Sequence, residues 1–237
     1  MLLKTVRIKG LVESSLLDWP GRVATVIFLP GCNFRCRYCH ARDIILGGAS
    51  PLESIPLDAV LGHVADMKGW LDGVVISGGE PTTCPELDEL CVRIKDCGVP
   101  VKLDTNGSHP EVLESLIERS LIDAVAMDVK APLDYRYLQL TQTVFGLRRI
   151  ERSIEVIMES GLEYEFRTTV EPSLISPADV GQIAQAIEGA RKYVLQPFRP
   201  HVCLDPAMES LPQCPTSVLQ DAARLAEGFV GEVVIRL

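Results

Sequence analysis

The chain has 237 residues, 47% of them hydrophobic and 23% charged, with a formal net charge of −9. That length and apolar content suffice for one sizeable core, while the acidic balance excludes a general nucleic-acid binder, whose phosphate contacts need a positive surface. The start Met-Leu-Leu-Lys-Thr-Val-Arg has no apolar h-region behind a charged n-region, and no stretch reaches the ~18 apolar residues of a membrane span. A cytoplasmic location without membrane contact is therefore expected, and eight cysteines there point to reduced thiols or metal binding, not to a disulfide framework.

In chain order, an N-terminal strand is expected near Val6 to Val12, followed by Ser15-Leu-Leu-Asp18-Trp-Pro-Gly-Arg22, whose Pro-Gly marks a turn. Val23 to Leu29 is apolar and β-branched and stops at Pro30-Gly31, so it reads as a buried strand that delivers the next loop at its C-terminal end. Catalytic loops occupy that end of α/β barrels. The loop is Gly31-Cys-Asn-Phe-Arg-Cys-Arg-Tyr-Cys-His40. Its C-x3-C-x2-C spacing, expected by chance only about 0.01 times in this composition, presents three thiolates, Cys32, Cys36 and Cys39. Structural zinc and an ordinary [4Fe-4S] cluster each want four ligands, so three suggest a cluster with one iron open to an outside ligand. The plainer alternatives are a zinc site borrowing His40 or Cys84, or three buried thiols. Arg22, Arg35, Arg37 and Arg42 flank the loop; they form either a docking face for an acidic electron donor or a solvated loop surface.

One helix and a loop, Gly47-Gly48-Ala-Ser-Pro51, are expected between Cys39 and the next strand. Further strands are read at Gly73 to Ile76, Val99 to Leu103, Ala124 to Val129, Tyr164 to Val170 and Tyr193 to Leu195, with a last one at Glu232 to Arg236. Helical periodicity lies between them, as in Leu57, Val60, Leu61, Val64 and Met67, or Leu87, Leu90, Cys91, Ile94 and Cys97. Six strand–helix units from Val23 onward predict an α/β fold, a partial (β/α)6 TIM-like barrel in a single domain over 1–237. Its core spans about 22–200, flanked by the N-terminal strand and a C-terminal helix and strand.

Polar residues recur where these strands end. Ser77-Gly78-Gly79-Glu80-Pro81 offers paired glycines for close backbone approach, with Glu80 either at a ligand or tying down its own loop. Asp104, Thr105 and Asn106 either cap a turn or line a site. Asp128 and Lys130 share one strand face and either pair or meet a ligand, and Arg167 is either a rim ion pair or a contact. Cys91 and Cys97 fit core packing. Cys84, Cys203 and Cys214 form no C-x2-C pair, so no second cluster is expected.

From about Lys9 to Pro200 these elements closely resemble the radical S-adenosylmethionine (SAM) family. Within it they resemble the glycyl radical enzyme activating enzymes, most closely the anaerobic ribonucleoside-triphosphate reductase activating protein subgroup, related to pyruvate formate-lyase activating enzyme. The resemblance implies a radical SAM oxidoreductase with a [4Fe-4S] cluster on Cys32, Cys36 and Cys39. It also implies SAM contacts at Tyr38, Gly78, Gly79, Glu80, Asp104, Thr105, Asn106, Asp128, Val129, Lys130, Arg167 and Arg199, and a monovalent cation held by the aspartates. Reductive cleavage of SAM then yields a 5′-deoxyadenosyl radical that takes hydrogen from a glycine of a partner, such as anaerobic ribonucleotide reductase, with flavodoxin or ferredoxin as electron donor. No catalytic side chain is implied beyond cluster and SAM. Arg199 stands where pyruvate formate-lyase activating enzyme has a histidine, which makes His201 a neighbouring candidate; Ala41 replaces the Asn common after Cys-His. Two rival functions remain open: a radical SAM enzyme acting on a small molecule, as deazapurine synthases do, and a zinc-binding adaptor.

Overall fold

The computed structural model describes residues 6–46, 52–144 and 146–237, so the expected loop over 47–51 lies outside the described residues. These residues fall into two compact units. One is drawn from Met1–Asn33, Ala41–Thr105 and Glu111–Val125, the other from Phe34–His40, Asn106–Pro110 and Ala126–Leu237.

In the first unit, β1 (Gly10–Ser15) runs antiparallel to β2 (Ala24–Leu29). Every β2 residue except Phe28 is buried, as an apolar run covered on both faces requires. Helices α1 (Arg42–Leu46) and α2 (Leu57–Asp66) lead to β3 (Gly73–Gly78), which pairs in parallel with β2. Helix α3 (Leu87–Asp96) leads to β4 (Val101–Thr105), parallel to β3, and α4 (Pro110–Glu118) leads to β5 (Ala124–Asp128). The α3 residues Leu87, Leu90, Cys91 and Ile94 are buried along one helical stripe. Trp19 joins Ala24, Val26, Val75 and Ala124 in the core and covers Gly73, where a Cβ would stand 2.7 Å from its ring.

In the second unit, the chain leaves β5 with Val129 donating its amide to the Arg167 carbonyl at 2.9 Å. It continues through α5 (Tyr135–Thr141), α6 (Arg148–Glu159), β6 (Glu163–Val170), α7 (Pro177–Ala186), β7 (Tyr193–Pro197), α8 (Thr216–Ala226) and β8 (Val233–Ile235). Strands β6, β7 and β8 pair in parallel. Ser176 and Asp179 form a reciprocal capping box at α7, with Pro177 in the first turn, which satisfies amides that a helix start leaves open. Buried Glu165 accepts from both terminal nitrogens of Arg236, at 3.0 and 2.8 Å, and so ties β6 to the chain just after β8.

The described strands follow one another in chain order, β1 to β8, in an open, parallel-rich α/β sheet of the (β/α)6 class expected from the sequence. No helix among the described residues is long and apolar enough to cross a membrane. Several limits differ from expectation. The N-terminal strand starts at Gly10, because before it only Ile8 forms a bridge, to Ile55. Two helices, not one, precede β3, since the short Arg42–Leu46 turn buries no residue and leaves no periodic signal. Strand β4 extends to Thr105, drawing Asp104 and Thr105 out of the expected turn. Cys97 is a half-exposed helix cap whose thiol donates to the Arg93 carbonyl, not a core residue.

Among the described residues, removing the Arg236 guanidinium leaves the buried Glu165 carboxylate with Lys192, 4.0 Å away, as its remaining cation. Arg236→Ala should therefore lower unfolding free energy by about 2 kcal/mol, read as an earlier urea midpoint at unchanged slope.

Candidate functional site

In the first unit, the end of β2 and the end of β3 meet backbone to backbone. Gly79 donates its amide to the Leu29 carbonyl at 2.9 Å, and Glu80 donates to the Gly31 carbonyl at 2.8 Å, one residue before Cys32. A Cβ on Gly79 would lie 1.7 Å from the Gly31 oxygen, and one on Gly78, whose φ is +122°, would lie 2.3 Å from the Leu29 oxygen. Paired glycines are thus required by the protein's own backbone, whatever they offer a ligand. Glu80 is buried, and its Oε1 accepts from the Thr82 amide at 3.1 Å, the Thr82 hydroxyl at 2.5 Å and the Thr105 hydroxyl at 2.7 Å. That oxygen ties down its own loop, and Thr105 joins the end of β4 to it.

Asp104 is buried beside Lys102 on the same face of β4, and the Lys102 ammonium donates both to its carboxylate and to the Asp18 carbonyl, the latter at 2.8 Å. Lys102 was not singled out from sequence. The available signal was a lysine two residues from an aspartate inside an otherwise apolar strand, where only a paired charge survives burial. Through Asp18, it fixes the Ser15–Arg22 segment. Arg22 lies over the Trp19 ring at 4.6 Å, and Arg42 sits 3.5 Å from Asp43.

In the second unit, Cys36 is buried and Cys39 partly so, with Cys39 donating its amide to the Cys36 carbonyl at 3.0 Å. The loop around them is held from two sides. Arg35 donates its amide to the Thr141 carbonyl at the end of α5, at 2.8 Å. After β7, Leu204 and Asp205 donate to the carbonyls of Cys39 and Arg37, at 2.9 and 3.0 Å, and the Asp205 carboxylate accepts from Arg37 Nε at 2.8 Å. Cys203, Cys214 and Cys91 are buried, Cys84 is partly exposed, and none of the eight cysteines is in a disulfide.

Asp128 does pair with Lys130, at 2.8 Å, and its other oxygen accepts from Arg167 Nε at 2.9 Å. Burial alone would raise the Asp128 carboxyl, but the Arg167 and Lys130 charges prevail and hold it well below the usual carboxylate range. Burial would likewise lower the Lys130 ammonium, yet Asp128 and then Tyr38 and Cys36 keep it above its ordinary value. Tyr38, in the cysteine loop, is pushed up by burial, against the pull of Lys130. The structure thus brings Tyr38, Cys36, Asp128, Lys130 and Arg167 together. Val129 has both backbone groups committed, its amide to Arg167 and its carbonyl to the Thr168 hydroxyl. Asn106 Oδ1 accepts from the Ser108 amide at 2.9 Å, a local turn bond. Arg199 is exposed, and its carbonyl lies 2.8 Å from the His40 ring nitrogen and accepts the His201 amide. The His40 ring stacks on Phe198 and lies 6.4 Å from that of His201.

Sequence reasoning also missed Tyr137, Thr141 and Asp205, which meet the loop from segments carrying no motif. Among the described residues, no acceptor meets the buried hydroxyl protons of Tyr38 and Tyr137.

The family model of the radical SAM superfamily matches residues 26–190. A Methanocaldococcus jannaschii protein provisionally named a glycyl-radical enzyme activating enzyme is 33% identical over 234 residues, covering 97% of this chain and 95% of the relative. The pyruvate formate-lyase-activating enzyme of Clostridium pasteurianum is 28% identical over 193 residues, covering 78% of this chain and 77% of its own. Among solved structures, Streptococcus suis SuiB bound to its precursor peptide SuiA aligns with a TM-score of 0.65 at 13% identity, over 90% of this chain. The chain spans 48% of the length of that structure, so the likeness is one of fold.

Two outcomes follow from the geometry. Gly79→Ala forces a Cβ into the Gly31 carbonyl and should cost about 3 kcal/mol, read as an earlier urea midpoint. Asp128→Asn should cost about 2 kcal/mol at pH 7, less than for a fully buried pair. Because the folded-state carboxyl is held low, the stabilisation is complete above the ordinary carboxylate value of about 3.9. It fades as pH falls toward the lower folded value, so wild type and Asp128→Asn should converge in urea midpoints measured in increasingly acid buffer.

Proposed function

The chain belongs to the radical SAM superfamily, among its glycyl-radical enzyme activating enzymes, and we propose that it installs a glycyl radical on a partner enzyme such as anaerobic ribonucleotide reductase. Membership brings a [4Fe-4S] cluster and SAM. When bound, these groups supply a one-electron cleavage of SAM that ends in methionine, 5′-deoxyadenosine and a radical on the partner's glycine. The observation that carries the reading is the three-cysteine loop set in an alignment that covers 97% of the chain at 33% identity.

The donor set fits those groups. Cys32, Cys36 and Cys39 lie outside any disulfide and would ligate three irons. The Gly78–Glu80 backbone would hold the SAM amino group. Lys130 is a cation beside Cys36 and Tyr38, suited to the SAM carboxylate, and Arg167 and Asp128 fix its position. Tyr38 keeps a buried hydroxyl without an internal partner. Asp104, Thr105, Asn106 and Val129 would shape the walls through the turns and strand ends they already brace, and the exposed Arg199 or its neighbour His201 would close the rim. A monovalent cation at the aspartates would compete with charges already in place, because Lys102 balances Asp104, and Lys130 with Arg167 balances Asp128. Flavodoxin or ferredoxin would deliver the electron, drawn to the arginines that flank the loop.

Reduced, iron-reconstituted enzyme should be incubated with SAM and a glycyl radical enzyme from the same genome and followed by electron paramagnetic resonance. A doublet is expected that collapses when the glycine is deuterated at Cα, and it should vanish with Cys32→Ala, Cys36→Ala or Cys39→Ala. SAM turnover coupled to loss of a small metabolite, with no doublet, would transfer the case to a small-molecule enzyme. Colourless, zinc-bearing protein without SAM affinity would make it an adaptor.

A further inference from the structure

Tyr137 lies outside every motif read from the sequence, yet it stands beside the cysteine loop. Its ring meets Phe34 edge-on, centroids 6.2 Å apart at 82°. Its carbonyl accepts the Thr141 hydroxyl at 2.7 Å, and the Thr141 carbonyl in turn accepts the Arg35 amide. Its own amide donates to the Asp134 carbonyl at 3.0 Å, in the turn that opens α5. Backbone and ring are therefore fixed, and a phenylalanine would pack as well.

The hydroxyl is what packing does not explain. It is buried, the residue being 1% exposed, and among the described residues its proton finds no acceptor, the Lys130 backbone N–H that faces the oxygen being itself a donor. Such an orphan costs about 1–3 kcal/mol. It shares this condition with one other buried side-chain group among the described residues, Tyr38 Oη, and both feel the same titratable neighbours, Lys130, Cys36 and Asp128. Two orphaned hydroxyls converging on one lysine and one candidate iron ligand mark a place where a polar ligand is missing. Burial keeps the Tyr137 phenol well above its ordinary value, so it stays protonated and able to donate. With an ammonium already at hand, the acceptor that fits is anionic.

We propose that Tyr137 is a positioning residue of the cofactor site, its hydroxyl donating a hydrogen bond to an anionic acceptor on the bound assembly beside Cys36 and Lys130. This rests on the cluster and SAM reading given above. The acceptor is either the SAM carboxylate or a sulfur of the cluster, and the two are separable by measurement.

The test is Tyr137→Phe in the anaerobically reconstituted enzyme, read without reference to turnover. Before SAM is added, iron content should match wild type and the thermal midpoint should be equal or higher, because the variant removes only an unpartnered hydroxyl; a purely structural hydroxyl would lower it. If the acceptor is on SAM, the SAM dissociation constant rises about tenfold, the loss of one hydrogen bond to a charged group, while the cluster's reduction potential without SAM is unchanged. If the acceptor is a cluster sulfur, that potential becomes more negative in the variant. Unchanged SAM affinity together with unchanged potential would overturn the proposal while leaving the cofactor reading intact. Wild-type protein that takes up iron but binds no SAM, with a potential indifferent to the substitution, would overturn both.

Discussion

The cysteine loop depends on how closely the turn after β3 approaches the backbone leaving β2. Two amide–carbonyl bonds, Gly79 to Leu29 and Glu80 to Gly31, draw these segments together. The approach leaves no volume for a Cβ at either glycine. A turn of this kind has little tolerance: the Cα of Gly79 is locked against the residue that precedes Cys32, so the first thiol inherits its position from backbone bonds and not from its own side chain. Glu80 then secures the turn from below by gathering two threonines. Its carboxylate, a natural candidate for ligand contact on pattern alone, does structural service through at least one oxygen.

Charge burial follows one rule throughout. Lys102 meets Asp104, Glu165 meets Arg236, and Asp128 takes Lys130 on one oxygen and Arg167 on the other. Leaving any of these ions buried and alone would cost several kcal/mol, so each of these charges is met by a counterion. Against that background the Tyr38 and Tyr137 hydroxyls stand out among the described residues as buried groups whose protons find no acceptor. Charges are too costly to hold in readiness for a ligand; a phenol is cheap enough to wait.

Much of the fold was legible because each of its strands is a short apolar run bounded by turn residues, and because buried parallel strands need apolar residues on both faces. The cysteine spacing was legible for a different reason: ligand number and spacing are set by metal chemistry and survive without knowledge of the fold. Lys102 escaped notice since its strand reads as apolar until its partner two residues on is counted. Tyr137 escaped because its position is fixed by α5, a seven-residue helix with no motif, and its significance lies in a hydrogen bond that is not made. Helix α1 left no trace because it buries nothing and so has no periodicity. Asp104 and Thr105 looked like turn residues by composition, yet both lie in β4, where Lys102 and Glu80 meet their side chains.

The second part of the cysteine loop is secured differently from the first, and this bears on how the site forms. Arg35 is held by Thr141, while Arg37 and Cys39 are held by Asp205 and Leu204, the Arg37–Asp205 pair closing a separation of 168 residues. Contacts this distant in sequence form late, because the chain between must be ordered before the bonds can compensate for closing the loop. Cys36, between the anchored Arg35 and Arg37, and Cys39, bonded directly by Leu204, are therefore fixed only when those distant segments arrive, and metal ligation is coupled to folding wherever the site is not preformed. The local spacing of Cys36 and Cys39 therefore supplies candidate ligands. The segment after β7, which carries no ligand of its own, decides when they are held in place.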